Sequence, residues 1–250
     1  MSRRRYIVFD REAFESDKQA EILRAAGDSL LFSKARDFIV HSDLYKYGYY
    51  WSWLGLPIIQ MPEDIVLTQE LLWETKPDFV IEAGIAWGGS LAMYAAFQEL
   101  QGHGHVFGID ITIPENNRRA IMNTAVSKRI TLIEASSSDS ETFAKVAGQI
   151  PKGSNVLLVL DSNHSHKHVL AELELWTPLL QIGNYVIVSD TIVEFIPEQT
   201  HRKRPWGPGD NPMTASMEFL KKNPQFSASN NYSARSIASF NPSGYLKRIN

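Results

Sequence analysis

Five apolar runs in this chain end in an acid, and those ends hold most of the residues able to do chemistry. Glu82 closes FVIE, Asp110 closes VFGID, and Glu134 closes ITLIE ahead of Ser136, Ser137, Ser138 and Asp139. Asp161 follows VLLVL, and Ser189 with Asp190 follows YVIV. A carboxylate is costly to bury unpaired, so an acid ending every run points to a shared crevice that meets solvent, a ligand or a metal. The bland alternative is that such acids cap the following helices, and for Asp139 that reading is at least as good. Asp161 opens D-S-N-H, which puts a carboxylate three residues from His164. This pairing suits metal coordination or general-base work, because imidazole titrates near neutrality. Of the three neighbouring histidines, His164 is the candidate; His166 and His168 read as loop and helix-start residues. Asp190 is a second oxygen ligand for a hard cation, and Asp161, Asp190 and Asn163 together would make a Mg²⁺ site completed by water.

The stretch VIEAGIAWGGS, residues 80–90, reads as a buried strand that ends in Glu82 and breaks into a turn spaced by Gly84, Gly88 and Gly89 before an apolar helix. Such a turn can hold a nucleotide-like ligand at the carboxyl end of an open sheet. Ala86 stands where the dinucleotide fingerprint needs a glycine, so the spacing is not that fingerprint. Asp110 lies 28 residues past Glu82, at the end of the next strand, where an acid can accept both ribose hydroxyls of an adenosine-type cofactor. An NAD-dependent oxidoreductase would use the same acid. The broken glycine spacing and the lack of a Tyr-x-x-x-Lys pair weigh against it.

The elements that must position these residues alternate regularly. Helices are predicted at residues 65–74, 90–101, 115–127, 140–147 and 169–180, and strands at 78–82, 105–110, 130–134, 156–160 and 185–188. Continuous apolar strands such as VLLVL are what burial on both faces produces, so the fold class is α/β, a doubly wound, largely parallel Rossmann-like sheet. Residues 1–60 form an N-terminal helical and aromatic cap, with helices at 12–26 and 29–40, ahead of a single unit at 61–250. The tyrosines and tryptophans between 45 and 53 suit either a packing surface or a pocket for sugars and aromatic ligands. After Asp190 comes a proline-rich loop, a short helix near 215–221, and a C-terminal SIASF–NPSG–YLKRI that reads as two strands across a turn.

Composition closes off several classes. The 250 residues are 44% hydrophobic and 21% charged, as in a globular protein. A net charge of −3 argues against a general nucleic-acid binder, although His201, Arg202, Lys203 and Arg204 form a local basic patch, either a solvated loop or a contact for an anionic group. With no cysteine there is no disulfide, thiolate metal site or cysteine nucleophile, which is compatible with the cytoplasm. The start MSRRRYIVFDREAF has no apolar core behind its arginines, and no run approaches the roughly 18 apolar residues needed to span a bilayer, so neither a signal peptide nor a membrane span is expected.

Taken in order, FVIEAGIAWGGSL, VFGIDI with NNRRAI, the triplet SSS, VLLVLDSNHSHKHVLAELELW, GNYVIVSDT and RPWGPGDNP resemble the cephalosporin hydroxylase family over roughly residues 45–250. Its characterised members behave as S-adenosylmethionine-dependent methyltransferases, including macrolide-sugar O-methyltransferases. The resemblance implies a class I methyltransferase sheet and O-methylation of a small-molecule or glycan acceptor by a homo-oligomer. Glu82 and Gly84, with the loop through Ser90, would hold the methionine part of S-adenosyl-L-methionine. Asp110 would take the ribose, and Ser137, Ser138 and Asp139 would lie near the adenine. Asp161 and Asp190 would ligate Mg²⁺, and His164 would take the proton of the acceptor hydroxyl. The family often carries Glu-Asp where this chain has Ser189-Asp190, so one anionic ligand is lost and Ser189 is left to contribute a hydroxyl or hold a water. A cofactor-binding protein of the same fold without catalysis stays open on that ground.

Overall fold

The structure, a computed structural model, describes residues 10–250; the start of the chain, on which the expectation about a signal peptide rests, lies outside them. Two helices come first, α1 (Arg11–Ala26) and α2 (Ser29–Asp43), each opened by an aspartate, Asp10 or Asp28, whose side chain accepts a backbone N–H of the first turn. The aromatic segment folds as a 3₁₀ turn (Tyr47–Tyr49) and a hairpin of β1 (Trp51–Trp53) and β2 (Leu56–Ile58). Leu54 and Gly55 both take positive φ between its strands, the geometry of a tight hairpin turn. Then follow α3 (Pro62–Thr75), β3 (Phe79–Ala83), α4 (Gly89–Gln101), β4 (His105–Asp110), α5 (Glu115–Met122), β5 (Ile130–Glu134), α6 (Ser140–Ala147), β6 (Val156–Leu160), α7 (His166–Trp176) and β7 (Tyr185–Val188). The chain ends with α8 (Pro212–Lys222), β8 (Phe226–Ala228), α9 (Asn230–Arg235) and β9 (Tyr245–Arg248).

Seven strands form one sheet in the order β5-β4-β3-β6-β7-β9-β8. The first five are mutually parallel, and β9 runs antiparallel to both β7 and β8. Alternate residues feed two cores, as the period of two along a strand requires. Val80, Leu157, Val159 and Ile187 face α3 and α4, while Ile81, Leu158, Leu160 and Val188 face α7 and α8 around Trp176 and Phe219. A third, smaller cluster of Ile39, Met61, Ile192 and Ile196 packs α2 over the carboxyl ends of the strands.

The C-terminal expectation needs correcting. Residues 236–240 form no strand; β9 pairs instead with β7 and with β8, a strand the sequence pattern did not reveal. The displaced segment is held by side chains: the buried Asp64 accepts from Ser239 Oγ and, at 2.8 Å, from the Phe240 N–H. Several helix bounds also moved. α5 stops at Met122 rather than 127, and α7 begins at His166, where the backbone N–H meets Asp210 Oδ1 at 2.7 Å, rather than at 169.

The order of the strands reverses direction between β3 and β6, which is where a doubly wound sheet opens a crevice. Two glycines let the chain close tightly there. Gly84, at φ +86°, lies so near β6 that a Cβ would sit 2.2 Å from the Asp161 carbonyl oxygen. At the start of α4, a Cβ on Gly89 would sit 2.3 Å from the Pro57 carbonyl oxygen, so the hairpin rests directly on the helix.

Candidate active site

The crevice is two connected spaces, and Gly84, Ala86 and Asp161 line both. One is a groove of about 390 Å³ along the ends of β3, β4 and β5. Asp110 stands in it with its Oδ2 fixed by the Ile85 N–H at 3.0 Å and its Oδ1 by the Thr112 N–H at 3.3 Å. The far wall is Ser136, Ser137, Ser162 and His168. Behind that wall lies Glu172, wholly buried, which accepts from Ser137 Oγ at 2.5 Å and Ser162 Oγ at 2.6 Å and meets His168 Nε2 at 3.1 Å. That partner holds the His168 imidazole above its ordinary value, against the opposing effect of its own burial. Ser138 is exposed, 3.0 Å from Ser136 Oγ. Asp139 caps α6 by accepting the Glu141 N–H at 3.2 Å and is not on the groove wall.

The other space, about 210 Å³, lies between the strand ends and α2. Asp161, His164 and Asp190 each point one ligand atom to a common spot, all three within 4.8 Å of one another. His164 Nε2 is 3.3 Å from Asp190 Oδ2, and its ring packs T-shaped against Trp206, centroids 4.9 Å apart. Asp190 takes φ +55° in the turn after β7, tied by its N–H to Asn241 Oδ1 at 2.9 Å. Desolvation on the cavity floor, then the charges of Asp190, Glu82, Asp64 and Glu172, push Asp161 well above the usual carboxylate range. Beside these groups the Ser189 Oγ and the Gln60 Oε1 are buried without a hydrogen-bond partner among the described residues, and both residues line this space.

Glu82 and Ser90 are drawn together by the loop. Glu82 is wholly buried and is not on either wall; it accepts from Ser90 Oγ at 2.9 Å and Tyr94 OH at 3.1 Å, and burial raises it to about 8. Ser90 itself lines the smaller space. His166 stands apart, bridging α7 to α8 through Thr214 Oγ1 at 2.8 Å and Glu218 Oε2 at 3.0 Å. Asn163 lines the groove rather than the space that holds Asp190.

Sequence reasoning missed Gln60, Asp64 and Asn241 on the floor of the smaller space. Asp64 sits in the first turn of α3, where an acid reads as a favourable partner of the helix dipole, and Asn241 sits in an N-P-S-G turn, so neither carried a chemical signal. Asp64 is raised by burial to about 7. No helix among the described residues is long and apolar enough to cross a membrane.

Comparison with known proteins agrees with this architecture. A rhamnosyl O-methyltransferase of Mycobacterium leprae is 33% identical over 146 residues, 56% of this chain and 60% of that protein. Its counterpart from Mycobacterium tuberculosis is 29% identical over 143 residues, 56% of each. The chain therefore spans little more than half the length of the curated relatives it matches. Among solved structures, CmcI described with Mg and SAM superimposes at a TM-score of 0.56, with 22% identity, 81% of this chain and 78% of that one covered. The CmcI apo-structure gives 0.57, with 21% identity and 81% and 77% covered. These likenesses establish a common fold. The family model described as Rhamnosyl O-methyltransferase/CmcI matches residues 45–249, and the chain belongs to that family.

Proposed function

We propose that this protein is an S-adenosylmethionine-dependent O-methyltransferase acting on a hydroxyl of a sugar, with Mg²⁺ assisting. The observation that carries the proposal is the convergence of Asp161, His164 and Asp190 in one space, with Gly84 and Asp161 as the wall shared with the Asp110 groove. The donor set fits the ion. Mg²⁺ takes oxygen ligands, so of three groups within 4.8 Å of one another the two carboxylates are its ligands and the imidazole is left over as the base. The unpartnered Ser189 hydroxyl adds an oxygen for the ion or one of its waters.

In the groove, Asp110 accepts ribose hydroxyls, with its orientation set by the Ile85 and Thr112 amides. The Ser137 and Ser162 side chains, clamped by Glu172, set the width at the adenine end. Gly84 and the loop through Ser90 hold the methionine end, and Glu82 acts from behind Ser90. When bound, the cofactor supplies a methyl on a sulfonium, a good leaving group, and the ion supplies positive charge beside the acceptor oxygen. His164 takes the acceptor proton, and Asp190 at 3.3 Å stabilises the imidazolium that results. Trp206 fixes the ring and excludes water from one side. Most of the rate comes from holding the hydroxyl in line, which is worth several kcal/mol by orders of magnitude.

Tyr49, Trp87 and Trp206 line the smaller space and offer aromatic faces to a sugar ring. On this basis the acceptor is a glycosyl hydroxyl of a natural product or cell-surface polysaccharide. The family resemblance adds a homo-oligomer, the absence of cysteine is compatible with a cytoplasmic location, and the segment ahead of residue 61 is read as a cap on the catalytic unit. His164→Ala removes methyl transfer to a rhamnosyl acceptor and leaves S-adenosylhomocysteine affinity, measured by calorimetry, within a factor of about two. Full activity in that variant sinks the assignment of the base.

A further inference from the structure

We propose that the acceptor carries a phosphoryl group, bound by Lys203 and Arg204 in a cavity beneath the loop 197–212 that adjoins the His164 space; this rests on the methyltransferase reading above. The cavity, about 410 Å³, adjoins that space across a common wall of Val193, Ile196, Gln199 and Trp206. That volume is ample for a sugar substituent.

The four basic residues at 201–204 divide into two pairs with different fates. His201 and Arg202 turn inward: His201 Nε2 lies 2.8 Å from Asp43 Oδ2, and Arg202 pairs with the other oxygen of the same carboxylate and contacts Tyr49. Asp43 is thereby fully used. Lys203 and Arg204 line the cavity and pair with no carboxylate among the described residues. Glu198 is the one acid on that wall, and it too makes no ion pair among the described residues. Arg202 is neutralised by Asp43, which leaves Lys203 and Arg204 as the cations of this wall without a carboxylate partner among the described residues.

Their position is what links these cations to the reaction. The Arg204 guanidinium lies 5.4 Å from the centre of the Trp206 ring, and that ring is the one that meets His164. An anion on Arg204 is therefore separated from the proposed base by a single aromatic side chain. Two cations without a carboxylate partner match a dianion better than a carboxylate, and a guanidinium offers a phosphoryl group two parallel N–H donors. The acidic chain as a whole, at net −3, makes this local excess of positive charge a feature of the loop and not of the surface at large.

Inorganic pyrophosphate is the probe, with the wild-type chain compared with the Lys203→Ala/Arg204→Ala double variant by calorimetry, and S-adenosylhomocysteine titrated separately into both. Pyrophosphate binds the wild type, at least tenfold more weakly the double variant, and more weakly still in both at high salt. Acetate at equal ionic strength does not displace it. The subsite is refuted by equal pyrophosphate affinity in the two proteins, by no binding to the wild type at millimolar concentration, or by displacement with acetate. If S-adenosylhomocysteine binds neither protein while pyrophosphate still discriminates between them, the anion subsite stands and the methyltransferase reading falls. The converse result removes the subsite alone.

Discussion

Replacing Gly84 by alanine tests whether the close approach of β3 and β6 builds the crevice. Two costs are added. At φ +86° an alanine pays about 1–2 kcal/mol for the left-handed backbone. Its Cβ, 2.2 Å from the Asp161 carbonyl oxygen and 2.6 Å from Ser162 Cα, meets backbone that has no rotamer to yield, an overpacking cost of about 1–3 kcal/mol. The expected loss is about 3 kcal/mol, or a melting temperature lower by roughly 6–12 °C for a chain of this size. Gly102, just past α4, is the internal control: it has nearly the same φ, +82°, but nothing within 4 Å of a built Cβ. Gly102→Ala should show the backbone cost alone, about 1–2 kcal/mol. Thermal melts followed by near-ultraviolet circular dichroism compare the two, and S-adenosylhomocysteine affinity reports whether Asp161 has moved. If the two variants melt together, or if Gly84→Ala binds the cofactor product as the wild type does, the close approach is not what shapes the site.

Glu82 makes stability fall as the solution becomes more alkaline. Unfolded, it ionises in the ordinary carboxylate range near pH 4; folded and buried, it holds its proton to about 8. Between those values the native state binds more protons than the unfolded one, so stability is greatest at the acid end of the window and is lost as pH rises through about 8, with Asp64, raised to about 7, adding the same sign. Glu82→Gln should equal the wild type or fall below it near pH 5 and gain on it by a few kcal/mol, in order of magnitude, near pH 8; denaturant melts whose pH profiles run parallel would contradict this. The Asp161–Asp190 pair predicts a crossing. Without divalent cations, Asp190→Asn melts above the wild type because like charges no longer face each other; in millimolar Mg²⁺ the order reverses, with Mg²⁺ affinity down at least tenfold by calorimetry. A variant that responds to Mg²⁺ as the wild type does removes Asp190 from the ligand set.

Much of the sheet was legible because each parallel strand is buried on both faces and each crossover helix shows its own period. Strands β4, β5, β6 and β7 begin and end where the apolar runs do. Elements outside that rule were not legible. The hairpin of β1 and β2 is three residues a side and aromatic, too short for a period to show. The strand β8 is equally short, and its pairing with β9 depends on a chain reversal through α9. The segment around Ser239 has the residues of a strand but is captured by the buried Asp64.

For the site, the sequence by itself determined which residue types stand at the strand ends. The rule that ligands meet an open sheet at the carboxyl ends of its strands selected Asp110, Asp161, His164 and Asp190 without coordinates. Tertiary structure alone decided how they divide. Strand order places β6 beside both β3 and β7, which brings Asp161 and Asp190, 29 positions apart in the chain, to one spot with His164. It also withdraws Glu82 behind Ser90 and sets Trp206 against His164 from a loop far along the chain. The reason is one of range: burial and helical period are local and repeat along the chain, whereas a carboxylate's partners are chosen by packing between distant segments, which leaves no pattern in the order of residues.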